Sequence, residues 1–248
     1  CAIVCDYNET SEIEEAVKIP TYQLLESIDI KAHELKETKI ARYAGARTHY
    51  TLFYMFVAND CGFLDFDLIH STDIREKLTN ENFDVFIWPG AELGKENVGY
   101  YYNKARLEEY SNRVMPVIRN FVANGGAHLS SCYGTTKSSI LYIYKDPGSL
   151  LRYRVLLPTL GIGGHFVLPR NTPNEHPINS IDDYFCNQTI INPNHPLAYG
   201  LGSIVRDFSS LHGLKVVGPN AQAVALYPDN SPCWIANIYN KGRVVSFG

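Results

Sequence analysis

Apolar and polar positions fall into alternating blocks along the middle of the chain. Lys39-Ile40-Ala41-Arg42-Tyr43 reads as a short buried strand, followed by a glycine-containing turn from Ala44 to Arg47. Thr48 to Asn59 then carries Leu52, Met55 and Phe56 at helical spacing. Asp65 to His70 is a second strand, and Ser71-Thr72-Asp73 offers N-cap side chains for a short helix reaching Leu78. Asp84-Val85-Phe86-Ile87-Trp88 is almost wholly apolar, the pattern of a parallel strand covered on both faces. It ends at Pro89-Gly90, before a polar, glycine-bearing loop from Ala91 to Gly99. A helix is predicted over Lys104 to Ala123, with Leu107, Val114, Val117, Ile118 and Phe121 on one face. Asn124-Gly125-Gly126 closes it, because glycine tolerates positive φ. Ala127 to Ser131 is a fourth strand, turning sharply at Cys132-Tyr133-Gly134. This alternation predicts one α/β domain over residues 39–248, a right-handed, doubly wound and mostly parallel sheet with helices on both faces.

The second half gives weaker signals. Leu156 to Leu168 is apolar and glycine-rich, and Arg170 to Asn179 is a Pro/Asn loop. Strands are predicted over Ala221 to Tyr227, Trp234 to Ile238 and Arg243 to Phe247, with Tyr239-Asn240-Lys241-Gly242 as a hairpin turn between the last two.

Composition narrows the function classes. With 45% hydrophobic and 19% charged residues, the 248-residue chain can bury a core. A net charge of −4 and a pI near 6.1 argue against a general nucleic-acid binder. No apolar run reaches the roughly 18 residues of a membrane span. Residues 1–38 hold nine acidic and three basic residues and read as an acidic N-terminal extension. The chain starts at Cys1 and stops just after a strand-like run, so both ends read as continuing in the natural chain. Six cysteines without a CxxC pair predict neither a zinc site nor a dense disulfide framework, and cytoplasm is the expected compartment. No cofactor or metal is expected. The expected partner is a small molecule, together with a partner domain or a second copy of the chain.

The strongest candidate site is Ser130-Ser131-Cys132-Tyr133-Gly134. A strand delivers Cys132 into a tight turn, Gly134 permits close backbone approach, and a helix beginning near Thr135 or Thr136 places amides beside the thiol. That is the logic of a nucleophile elbow with an oxyanion hole, and such surroundings favour a thiolate. A buried structural cysteine reads equally well from spacing alone. Trp88-Pro89-Gly90-Ala91, at the carboxyl end of a neighbouring strand, is the natural second wall. None of the eight histidines is selected as a base by spacing. His128 lies too far along the strand from Cys132, His165 follows Gly163-Gly164 and can line a pocket, and His195 precedes a proline and fixes its own turn.

Phe83-Asp84-Val85-Phe86-Ile87-Trp88-Pro89-Gly90, Phe121-Val122-Ala123-Asn124-Gly125-Gly126 and Ser131-Cys132-Tyr133-Gly134, in that order, resemble the class I glutamine amidotransferase-like superfamily. Asn194 to Leu201 and Lys241 to Gly248 bring the pattern nearest to its biotin-protein-ligase N-terminal-like group. The resemblance implies a flavodoxin-like sheet and a cysteine-dependent amidase or hydrolase acting on a small amide or related carbonyl. It implies Cys132 as nucleophile, the amides of Tyr133 and of Gly90 or Ala91 as oxyanion donors, and Gly134 in the pocket. Ser130 and Ala91 stand where relatives carry glycine, and Tyr133 is bulkier than the usual small residue. The His- and acid-bearing run that relatives place after the last strand would follow Gly248, so the resemblance names no base here. A non-catalytic binding domain, or a stress protein of the intracellular-protease or deglycase type, fits the same motifs.

Overall fold

A computed structural model describes residues 37–44, 65–89, 110–145, 153–156, 159–169, 185–208 and 212–248. The acidic extension up to residue 36 and the helix predicted from Thr48 to Asn59 lie outside them. The elements that frame the site are β1 (Lys39–Tyr43), β2 (Asp65–Ile69), α1 (Ser71–Lys77), β3 (Val85–Trp88), α2 (Met115–Ala123), β4 (Ala127–Ser131) and α3 (Tyr133–Ser138). Strands β5 (Leu141–Lys145), β6 (Tyr153–Leu156), β7 (His165–Pro169), β8 (Phe185–Ile190), β9 (Ile204–Phe208) and β10 (His212–Val216) follow. The last three are β11 (Gln222–Leu226), β12 (Pro232–Tyr239) and β13 (Gly242–Phe247).

Nine strands form one sheet in the order β2-β1-β3-β4-β13-β12-β11-β8-β9. The strands from β2 to β13 run parallel. From β13 outward every pairing is antiparallel. A second sheet, β10-β7-β5-β6, is mixed. The expectation of one mostly parallel sheet is therefore corrected: parallel strands make up only the first half. The reason lies in the connections. Short turns cannot carry a parallel crossover, and Asn230 and Asn240 sit at φ 63° and 53° in the reversals before and after β12.

Alternation within the parallel strands decides what each face buries. Ala41, Tyr43, Phe86, Trp88 and Val244 pack against Ile74 of α1 and against Met115, Ile118 and Phe121 of α2. The intervening Ile40, Arg42 and Ile87 are buried on the opposite face. Among the described residues, α1 and α2 cover one face only. Asp84 ties three strand starts together: its carboxylate accepts the Lys39 N–H at 2.8 Å, and its carbonyl accepts the Ala127 N–H at 2.8 Å.

Local details differ from the sequence expectation where hydrogen bonding overrides pattern. The N-cap of α1 is His70 rather than Ser71, Thr72 or Asp73. Asp73 acts from inside the first turn, its carboxylate accepting the His70 N–H at 2.9 Å, and that bond, with Lys77 beside it, lowers its pKa. The long helix is broken: Tyr110–Val114 is a π-turn and regular α structure starts at Met115, because Pro116 has no N–H to give to the turn before it. Residues 104–109 lie outside the described set.

Candidate functional site

β4 ends at the carboxyl edge of the parallel half, between β3 and β13. Its next residue, Cys132, has φ 53° and ψ −119° and is exposed. The other described non-glycine residues at positive φ are Asn230 and Asn240, whose side chains tolerate that region. Cysteine has no such tolerance, so the conformation costs about 1–3 kcal/mol that surrounding contacts must offset. Those contacts are visible. The Cys132 N–H donates to the Phe247 carbonyl at 3.1 Å, and the Cys132 carbonyl accepts the Thr135 N–H at 3.1 Å. Gly134 lies so close to the end of β3 that a Cβ there would collide with the Trp88 carbonyl, which makes glycine a steric requirement.

The helix after the turn begins at Tyr133, earlier than Thr135 or Thr136. The Tyr133 and Gly134 amides fall in its first turn and have no partner within the helix. Trp88 and Pro89 are buried at the end of β3, while Gly90 and Ala91 lie outside the described residues. The structure thus brings Cys132, the Tyr133 amide, Gly134 and the end of β3 to one edge.

A polar frame lies behind this edge, and sequence reasoning did not foresee it. Thr135, Thr136, Lys137, Ser138 and Ser139 are all buried. The Thr135 hydroxyl donates to the Phe247 carbonyl at 2.5 Å. Ser130 of β4, Ser138 of α3 and Ser246 of β13 bring their hydroxyls within 3.0–3.2 Å of one another. The far end of α3 is strapped by the glycine-rich segment: the Leu160, Gly161 and Ile162 amides donate to the Lys137, Ser139 and Ser138 carbonyls at 2.7–3.1 Å. Gly161 and Gly164, at φ 70° and 67°, give that strap its turns. The glycine run was the one local signal of it.

Four described histidines, His70, His128, His165 and His195, each have contacts of their own. His70 caps α1. His128 is buried in the core, stacked on Phe86 at 5.5 Å and edge-on to Trp88. Its ring nitrogens have no partner in hydrogen-bonding geometry, and burial, opposed only by the Phe86 backbone, pushes its pKa down to about 3. His165 is buried beneath α3, with Nδ1 3.0 Å from the Gly163 carbonyl and Nε2 3.3 Å from the Thr135 carbonyl. Desolvation lowers its pKa against those two contacts. It braces the strap and does not line an open pocket. His195 accepts the Leu197 N–H at 3.1 Å through Nδ1 and so caps its own turn. Among the described residues no cluster of three His, Cys, Asp or Glu suits a metal ion, and no helix is long and apolar enough to cross a membrane. Cys132, Cys186 and Cys233 are thiols, the last donating to Gln188 Oε1 at 3.3 Å.

No protein-family profile and no curated protein matches the chain. Solved structures do. A GMP synthase-like protein from Thermoplasma acidophilum aligns over 85% of this chain and 82% of its own, at 9% identity and a TM-score of 0.51. A glutamine amidotransferase from Thermotoga maritima aligns over 85% and 74%, at 11% identity and a TM-score of 0.50. A β-galactosidase from Bacillus circulans sp. alkalophilus aligns over 85% of this chain but 28% of its own, at 12% identity and a TM-score of 0.48. At such identities the likeness is one of fold, and the fold is glutamine amidotransferase-like.

Proposed function

We propose that this chain is a cysteine-dependent amidase- or hydrolase-like domain, with Cys132 as nucleophile toward a small amide or related carbonyl. The observation that carries the reading is the backbone of Cys132: φ 53° and ψ −119° at a strand-to-helix turn, with the residue exposed at the carboxyl edge of a parallel sheet. A strained turn of this kind projects a side chain beyond the strand ends, as a nucleophile elbow does. The order β2-β1-β3-β4-β13 of the parallel strands supports a flavodoxin-like, doubly wound reading of that half. The motifs around Trp88, Gly125 and Cys132 support the biotin-protein-ligase N-terminal-like group within the fold.

In this reading the thiolate adds to the substrate carbonyl carbon, and the carbonyl π electrons move to oxygen. The Tyr133 amide and that of Gly90 or Ala91 stabilise the oxyanion. Collapse expels the amine, which takes up a proton, and water then cleaves the thioester to restore the thiol. The base belongs at the β13 side of the turn, where Phe247 receives the Cys132 N–H.

A second reading, a ligand-binding domain that keeps the pocket without the chemistry, is favoured by the engagement of His70, His128, His165 and His195 elsewhere. Timed iodoacetamide labelling with peptide mapping, on the wild type and Cys132→Ala, separates them. The nucleophile reading expects Cys132 to alkylate about tenfold faster than Cys186 at neutral pH, as a thiolate pKa one unit lower would give. Should Cys132 be the slowest thiol of the folded protein, that reading fails. Fast labelling without turnover of small amides or esters selects the binding domain.

A further inference from the structure

We propose that Ser138 and Ser246, together with Ser130, are positioning residues that hold the Cys132 turn in its strained conformation; this rests on the reading of Cys132 as a nucleophile. The three hydroxyls come from the three elements that meet at Cys132. Ser130 lies two residues before it on β4, and Ser138 is the last residue of α3. Ser246 adjoins Phe247, whose carbonyl receives the Cys132 N–H. All three are fully buried.

Their protons can all be placed. Ser138 Oγ donates to the Thr135 carbonyl at 3.0 Å, and Ser130 Oγ donates to the Val245 carbonyl at 3.2 Å. Ser246 then donates to Ser130 Oγ at 3.1 Å or to Ser138 Oγ at 3.0 Å. The cluster is closed and leaves no hydroxyl proton without an acceptor, as a buried polar group requires. Around it, the described side chains of α3 after Tyr133 are Gly134, Thr135, Thr136, Lys137 and Ser138, with no aliphatic residue among them. A helix seated by apolar contacts can slide over a sheet, since those contacts are non-directional. Hydrogen bonds have preferred angles and fix orientation. The turn departs from ordinary backbone geometry just where β4 hands over to α3, so the bonds that join those elements to β13 are the ones able to hold it there.

The test compares Ser138→Ala and Ser246→Ala with Ser139→Ala. Ser139 is buried on the same segment and bonds the Thr136 carbonyl at 2.6 Å outside the cluster, so its variant controls for structural loss alone. Folding is checked by circular dichroism and urea titration, and the readout is the pH profile of Cys132 alkylation. The expected result is that Ser139→Ala lowers stability without moving the profile. Ser138→Ala and Ser246→Ala raise the midpoint by about one pH unit and slow labelling at neutral pH by about tenfold. If Ser138→Ala does not fold, Ser246→Ala, which keeps the Ser138–Thr135 bond, is read in its place. Folded variants with profiles within about twofold of the wild type overturn the proposal, and so does loss of folding in both, which would make the cluster structural. A wild-type Cys132 that labels slowest is a different failure: it sinks the nucleophile reading itself.

Discussion

His128 shows how one side chain can set the acid tolerance of the fold. It is buried between Phe86 and Trp88 with no aligned hydrogen-bond partner, and its pKa falls from 6.5 to about 3. Between those values the unfolded chain binds a proton that the folded chain refuses, so stability falls as pH drops through that window. From pH 7 to 4.5 the loss attributable to this ring is roughly 2–3 kcal/mol. His128→Leu keeps an apolar side chain of similar volume and removes the titration. Its urea midpoint is expected to fall clearly less than that of the wild type over the same pH range, and equal slopes for both proteins would refute the assignment. His128 shares the buried face of β4 with Ser130, alternating with Ala127 and Leu129, and nothing in the local sequence shows that it goes unpaired. The serines of the site were harder still to read. Ser138 and Ser246 stand 8 and 108 residues from their partners Ser130 and Ser138, and no local pattern marks such a meeting. Cys132 was legible because strand, turn and glycine sit next to one another in the chain.

The end of α2 is decided by two glycines acting for different reasons. The Gly126 N–H donates to the Phe121 carbonyl at 3.1 Å and the Gly125 N–H to the Val122 carbonyl at 3.0 Å, the two bonds of a Schellman stop. Gly125 sits at φ 117° with open space where a Cβ would point, so its need for glycine is purely conformational. A Cβ on Gly126 would instead strike the Phe121 ring. Gly125→Ala is therefore expected to destabilise by more than about 1 kcal/mol through backbone strain alone, and Gly125→Asn by less, since asparagine tolerates the left-handed region better. Urea titration of the two variants checks the order, and an alanine variant as stable as the asparagine one would contradict it. This stop was readable from Asn124-Gly125-Gly126. The π-turn at the other end was not, because Val114, Ile118 and Phe121 keep helical spacing while Pro116 removes a donor that spacing does not register.

Across the whole molecule, legibility divides beyond β11. In the parallel half β1 and β3 are buried on both faces, so Ile40 to Tyr43 and Val85 to Trp88 stand out in the sequence. Beyond β13 the strands are antiparallel; β11 and β12 carry the buried runs Val224-Ala225 and Cys233 to Ile235 and were read from the sequence, whereas β8 and β9 were not. In β8, buried Gln188 and Ile190 alternate with exposed Asn187 and Thr189, a pattern easily taken for a loop when polar residues occupy inward positions. β13 joins the halves. It is the fifth of nine strands in the sheet yet the last in the sequence, pairing with β4 on one side and β12 on the other. Val244 belongs to the same core as Trp88 and Ile118, and the Phe247 carbonyl receives both the Cys132 N–H and the Thr135 hydroxyl. Pairing β4 with β13 brings together residues more than a hundred positions apart, which places much of the ordering cost late in folding. Without β13, β4 and β12 would become open edges with unpaired backbone groups. A chain shortened to end at Lys241 is therefore expected to lose cooperative unfolding altogether and to associate through those edges. Urea titration by circular dichroism and sizing by light scattering check this. A monomer that keeps a single sharp transition would show that the two halves are stable without their shared strand.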